Sequence, residues 1–459
     1  MTHLHRRRAD HCGNPGSTRL RATLVAATMF VAAAGPAAAQ QNCDLHTVGW
    51  WETVMPLFSN PDGPAPNEKS YCDFQLWSWS AFVHFMRTVQ LDPQNPNIKG
   101  PAFLLLPGFS DLKPDGGKLT AVQAQAEVRQ HPLMLIPRGD QPRTLGSFEQ
   151  AGSKGVLVAQ NGRSVYYTTH MDLGYFTFTQ TYFGPNNYQK AEQTTNYPIG
   201  ANVLKTSWRI VPQGETVTDA YTTTALVPRL YNDNGKLKTS SDPNDVETVT
   251  VALIGVHVVG VIKNHPEFIW ATFELPSNAP LLPAGMDPHS SDPVSAQSYP
   301  LYKGGTPADQ SNFLPDKMSI DEKTQVITPV TNVFQRFVDG GATPQADKDA
   351  ITSSNANFQA GIRSHKDKID PIFANYRLTG TTWLLAGTLT PGDGDMVDEA
   401  IGSIDLANAT METFEQDVGE NCFFCHDTAG IGKNPGKNIN TSHIITSQLK
   451  RNPKIEEAR

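Results

Sequence analysis

The run from Val249 to Lys263, VTVALIGVHVVGVIK, limits the fold more than any other stretch of the chain. β-Branched residues dominate it, which predicts a strand over Thr248–Ile262. A strand with one wet face alternates apolar and polar side chains; this one is apolar almost throughout, apart from His257, and so requires cover on both faces. The chain must therefore lay protein on each side of a sheet. Further strands are expected at Arg163–His170, Tyr175–Tyr182, Val203–Val211, Ala220–Val227 and Glu267–Glu274. Gly155–Gln160 should join Arg163–His170 as a hairpin, because Asn161-Gly162 suits the positive φ angles of a two-residue turn.

Helical periodicity is confined to a few places. Tyr71–Thr88 puts Phe74, Trp77, Phe82, Phe85 and Met86 near one face, with Asp73 as a candidate N-cap, and predicts a core helix. Gln40–Ser70, rich in Pro, Asn and Gly apart from Trp50-Trp51 and Val54–Phe58, reads as an extended lead-in. Asn278–Pro315, without periodicity and dense in Pro, Ser, Asp and Gly, reads as a long loop or linker. Helices are expected again at Ala346–Ile369 and at Met396–Val418, where Ile401, Ile404, Leu406, Ala409 and Phe414 form a stripe and Gly419 supplies the stop. The expected class is α+β. A sheet-rich domain over 40–345, mostly β with a few core helices, precedes a small helical region over 346–459.

Residues 1–39 have the form of a signal peptide: an arginine-rich start, an apolar segment Leu24–Ala34 too short to span a bilayer, and small residues Ala37-Ala38-Ala39 that place cleavage near Ala39. The expected location is the periplasm or another exported compartment, reached by the general secretory route. No later apolar run is long enough to span a membrane. Loss of the leader removes five arginines and Asp10 and takes the formal net charge from −8 to −12. That balance argues against nucleic acid and suits a partner with a basic docking face. Cys12 leaves with the leader, so Cys43 and Cys72 remain as an even pair in an oxidising compartment, expected as a disulfide.

The other two cysteines lie in Cys422-Phe423-Phe424-Cys425-His426. Two thiols spaced to add to porphyrin vinyl groups, followed at once by an imidazole for the iron, are what covalent attachment of one c-type haem requires. A thioredoxin-like redox pair would need a βαβ setting, and few residues follow this motif. A zinc site from Cys422, Cys425 and His443 would lack a second cysteine pair. With the helix expected before it, CFFCH resembles the N-terminal half of a c-type cytochrome core, over about Met396 to the C-terminus. The segments CDFQLWSWSAFVHF, KTSWRIV and HVVGVIKNHPEFIWATFE are similar to bacterial exported proteins of the cytochrome c family that end in such a haem tail.

By this resemblance Cys422 and Cys425 carry the thioethers and His426 is the proximal iron ligand. A proline carbonyl after the motif, here Pro435, would take the second N–H of that histidine. The chain departs from small cytochromes in having no Met after Cys425. The sixth position is left to His443, to the weaker Lys433, Lys437, Lys450 and Lys454, to an upstream donor among Met411, Met396, His257 and His84, or to no ligand. Three functions fit: electron transfer with a redox partner protein; a haem-dependent oxidoreductase, peroxidase-like or oxidising a small organic substrate; and a haem-based sensor or binding module. The sequence nominates no catalytic residue in the sheet region.

Overall fold

The strand expected at Thr248–Ile262 runs from Val246 to Ile262 and is the spine of an eight-stranded sheet. The structure, a computed structural model, describes residues 43, 50–59, 66–67, 70–112, 133–134, 149–150, 155–240, 242, 245–337, 344–416 and 421–450. The expected signal peptide and its cleavage site lie outside them. In chain order the strands are β1 (Thr88–Asp92), β2 (Asn95–Pro101), β3 (Leu133–Met134), β4 (Val165–Met171), β5 (Asn202–Ile210), β6 (Thr222–Pro228) and β7 (Leu230–Asp233). There follow β8 (Lys236–Thr239), β9 (Val246–Ile262), β10 (His265–Glu274), β11 (Ser319–Asp321), β12 (Val326–Thr328), β13 (Arg377–Leu384) and β14 (Ala400–Gly402). The helices are α1 (Trp50–Ser59), α2 (Tyr71–Met86), α3 (Leu173–Tyr182), α4 (Pro185–Tyr188), α5 (Gln345–Ser364), α6 (Cys422–Cys425) and α7 (His443–Lys450).

The sheet runs β14-β13-β10-β9-β5-β4, antiparallel throughout. The first half of β9 pairs with β6, which carries β3 in parallel. One face is covered by α2 and α5: Phe82 stacks on Phe273 at 4.3 Å, Trp79 on Phe358 at 5.4 Å, and Phe74 on Trp383 at 3.7 Å. The Cys43–Cys72 disulfide ties the chain before α1 to the start of α2. Asp73 accepts the backbone N–H of Asn67 at 2.8 Å, steadying the turn before that helix. On the other face Val259, Val261 and Phe268 meet Tyr175 and Phe176 of α3 and the isoleucines Ile431, Ile439 and Ile444 of the C-terminal stretch. These two layers account for the unbroken apolar run of β9.

Several local expectations give way to tertiary context. Tyr175–Tyr182 is helical, because the Asp172 carboxylate accepts the Tyr175 N–H at 2.7 Å and caps α3 before any strand can pair. The supposed lead-in contains α1, which buries Trp50 edge-on against Phe358 at 5.5 Å. The described part of the helix expected at Met396–Val418, residues 396–416, is not an α-helix. Ala400–Gly402 pairs with β13, Gly402 has φ 86°, and Asn408 accepts the Thr410 N–H, a local bond that competes with helix. Its stop, Gly419, lies outside the described residues.

The described part of the expected helical region over 346–459 is mixed: α5 packs into the main core, and β13 and β14 extend the same sheet. Asn278–Pro315 is irregular, as expected, yet has a small core of its own around Val294, Tyr302 and Ala308. The Asn161-Gly162 turn forms, with Gly162 at φ 77°, while the segment before it makes only isolated bridges.

Candidate functional site

Asn421 opens the motif turn by accepting the Phe423 N–H at 3.0 Å, and the His426 N–H closes it on the Cys422 carbonyl at 2.9 Å. Cys422 and Cys425, three apart on one helical turn, therefore share a face. Phe423 points the other way and is wholly buried against Leu384 and Met396, which docks the turn on the end of β13. The Cys422 thiol is pushed up to about 12 by burial and by the Glu412 carboxylate, the opposite of the lowered value of a redox-active cysteine. Among the described residues no group of three His, Cys, Asp or Glu side chains is arranged to hold a metal ion.

The His426 imidazole is held on three sides. Its Nδ1–H donates to the Thr441 carbonyl at 2.8 Å, which makes Nε2 the nitrogen that keeps the lone pair. Trp270 lies against the ring with centroids 4.0 Å apart, and His443 stacks on it at 3.9 Å and 23°. Trp270 comes from β10, where Phe268 adopts φ 80° at a register shift, so that Phe268 and Trp270 both look onto the C-terminal stretch. Thr441 is delivered by a 3₁₀ turn over Asn438–Thr441 anchored on the α4 region. Asn438 N–H donates to the Gln193 carbonyl at 2.9 Å, and the Tyr188 hydroxyl donates to Asn440 at 2.8 Å. The carbonyl expected from Pro435 is not the acceptor; it lies 3.4 Å from the Tyr188 hydroxyl.

Beside Trp270 the same sheet face carries a polar cluster. His257 on β9 stands opposite Thr272 on β10 and Lys205 on β5, shares a hydrogen bond with the Thr272 hydroxyl at 2.8 Å, and donates from Nε2 to Glu412 at 3.0 Å. Lys205 lies 3.7 Å from the same carboxylate. Burial alone would raise the Glu412 carboxyl, but His257 and Lys205 hold it down at about 2. The turn carrying Glu412 can approach because β9 has Gly255 there, under Ser207, Asn408 and Thr410. Deeper in, Glu274 is wholly buried, its Oε2 has no partner among the described residues, and burial lifts its carboxyl to about 7.

The sixth-position candidates separate clearly. Met411 is buried in the opposite core, Met396 is packed on Phe423, and His84 belongs to α2 on the far face, its pKa lowered to about 3 by burial and by Arg87. Lys437 is buried and donates to the carbonyls of Tyr188 and Ala191; Lys433 is exposed. Only the backbone of Lys450 is described, and Lys454 lies outside the described residues. His257 is on the sheet face that the motif covers. His443 lies flat on the His426 ring, with Nε2–H donating to the Cys425 carbonyl at 2.9 Å. Sequence reasoning did not connect Trp270, Thr441 or Glu412 to the motif, since nothing local to any of them points to it. Comparison of the chain with protein-family models, curated proteins and solved structures returns no match.

Proposed function

We infer that the chain carries one covalent haem c on Cys422 and Cys425, with His426 as proximal ligand, and serves in electron transfer outside the cytoplasm. The observation that carries this reading is the hydrogen bond from His426 Nδ1 to Thr441. A ligating histidine is normally oriented by such a bond on its second nitrogen, and here it directs Nε2 away from the carbonyl. The surroundings fit the group. The two cysteines stand three apart on one turn, the Cys422 thiol free and Cys425 engaged in a disulfide that haem attachment would require to be reduced, and Trp270 Nε1 is a buried donor without a partner among the described residues, the kind of N–H that a porphyrin carboxylate accepts. When bound, the haem supplies one-electron iron chemistry. The protein's own part is to orient His426, to back its ring with Trp270, and to hold the motif turn on the sheet through Phe423. The cytochrome likeness then extends to the motif and its histidine, and the sheet domain offers a docking surface for a redox partner.

Export is supported by the Cys43–Cys72 disulfide, and no described helix is long and apolar enough to cross a membrane. The double variant Cys422→Ser with Cys425→Ser should abolish haem staining on a denaturing gel; staining that persists refutes covalent attachment. A second reading, oxidation of a small substrate, is favoured by the partly exposed Lys205, His257 and Glu412 beside the motif. Visible spectra with carbon monoxide separate the two. A low-spin iron indifferent to the gas fits electron transfer, and a high-spin iron that binds it fits catalysis at the haem.

A further inference from the structure

His443 is the residue after the motif best suited to bind iron, yet its position suits another task. Two imidazoles on opposite sides of one iron meet it end-on. With metal–nitrogen bonds of roughly 2 Å and the ring radii added, their centroids stand about 6 Å apart with the nitrogens pointing at each other. The rings of His426 and His443 are instead 3.9 Å apart and within 23° of parallel, plate on plate. His443 Nε2 is engaged by the Cys425 carbonyl at 2.9 Å, inside the motif itself. α7 cannot readily carry the ring elsewhere. Ile444, Ile445 and Leu449 are buried against the sheet layer, and the Ser442 hydroxyl is bonded to that of Tyr175 at 2.7 Å. Trp270, 4.0 Å from His426, is supplied by β10 rather than by the C-terminal stretch.

We propose that His443 is a positioning residue and not the sixth ligand: with Trp270 it flanks the His426 imidazole and, with the Thr441 carbonyl, sets the plane in which that ring meets the haem. The sixth site then falls to a group on another element or stays open. This inference rests on the haem reading above, and the experiment keeps the two apart. His443→Ala and His443→Phe are prepared as full-length protein and read three ways.

Haem staining on a denaturing gel tests attachment alone. The ferric visible and electron paramagnetic resonance spectra count axial ligands. Both variants are expected to keep the wild-type spin state, and conversion of a low-spin wild type to high spin in both would overturn the proposal. The widths of the resonance lines report how uniquely the imidazole plane is held. Broadening is expected in His443→Ala, with recovery in His443→Phe, which restores a flat ring without a nitrogen. Widths unchanged in His443→Ala would also overturn it. Should no haem attach, proton resonances of the His426 ring in the apoprotein serve instead. They should shift upfield under the two flanking rings and lose part of that shift in His443→Ala; no change counts against the clamp.

Discussion

Glu412 and Glu274 lie close enough on one sheet face to repel, and they respond to pH in opposite senses. For Glu412, burial opposes ionisation, but His257 and Lys205 outweigh it and hold the carboxyl at about 2 against an ordinary 4.5. A depressed folded value stabilises fully above the unfolded one, and that stabilisation is lost as the pH falls from about 4.5 towards 2. It is worth about 3 kcal/mol at neutral pH. Glu412→Gln should remove this amount at pH 7 and flatten the acid limb in urea titrations. Glu274 is raised to about 7, first by burial, so its contribution is present below about 4.5 and declines as pH rises through 7. Glu274→Gln should therefore be nearly neutral at low pH and raise the urea midpoint above pH 8. A fall there would show that the ionised form has a partner. Neither carboxylate is marked by a motif; their values arise from residues brought over from other strands.

Elements meet here through small residues and one covalent tie. A Cβ on Gly255 would come within 2.8 Å of Ser207 Oγ and closer still to Thr410 Oγ1, so Gly255→Ala should force the 408–413 turn off β9. The expected cost is about 1–3 kcal/mol, read as a lowered denaturation midpoint. The Cys43–Cys72 bridge closes a loop with a sequence separation of 29, and Cys43→Ser with Cys72→Ser should cost about 3 kcal/mol in the same assay. Strands β5, β6, β9 and β10 and helices α2 and α5 were legible because each repeats its own apolar period over many residues. α3 and the 396–418 segment were not. A cap at Asp172 and a strand partner in β13 overrode the local pattern in each.

At the scale of the molecule the motif is no appended tail. The C-terminal stretch is the second cover of the sheet, and removing it would bare Val259, Val261 and Phe268. Unfolding in guanidinium should thus be one transition, with coincident midpoints from tryptophan fluorescence and from far-ultraviolet circular dichroism; separated midpoints would mean two independent units. The sequence by itself determined the layered sheet, through the doubly covered run of β9. It also supplied the spacing of Cys422, Cys425 and His426 on which the proposed haem attachment rests, and it favoured the Cys43–Cys72 disulfide by cysteine count. Only the tertiary structure decided which carbonyl orients His426, that Trp270 and His443 flank it, and that His257 and Glu412 stand nearby. Each of these is a contact between residues on different elements. Its partner depends on strand register, on the bulge at Phe268 and on how the last helix packs, none of which is encoded in neighbouring residues.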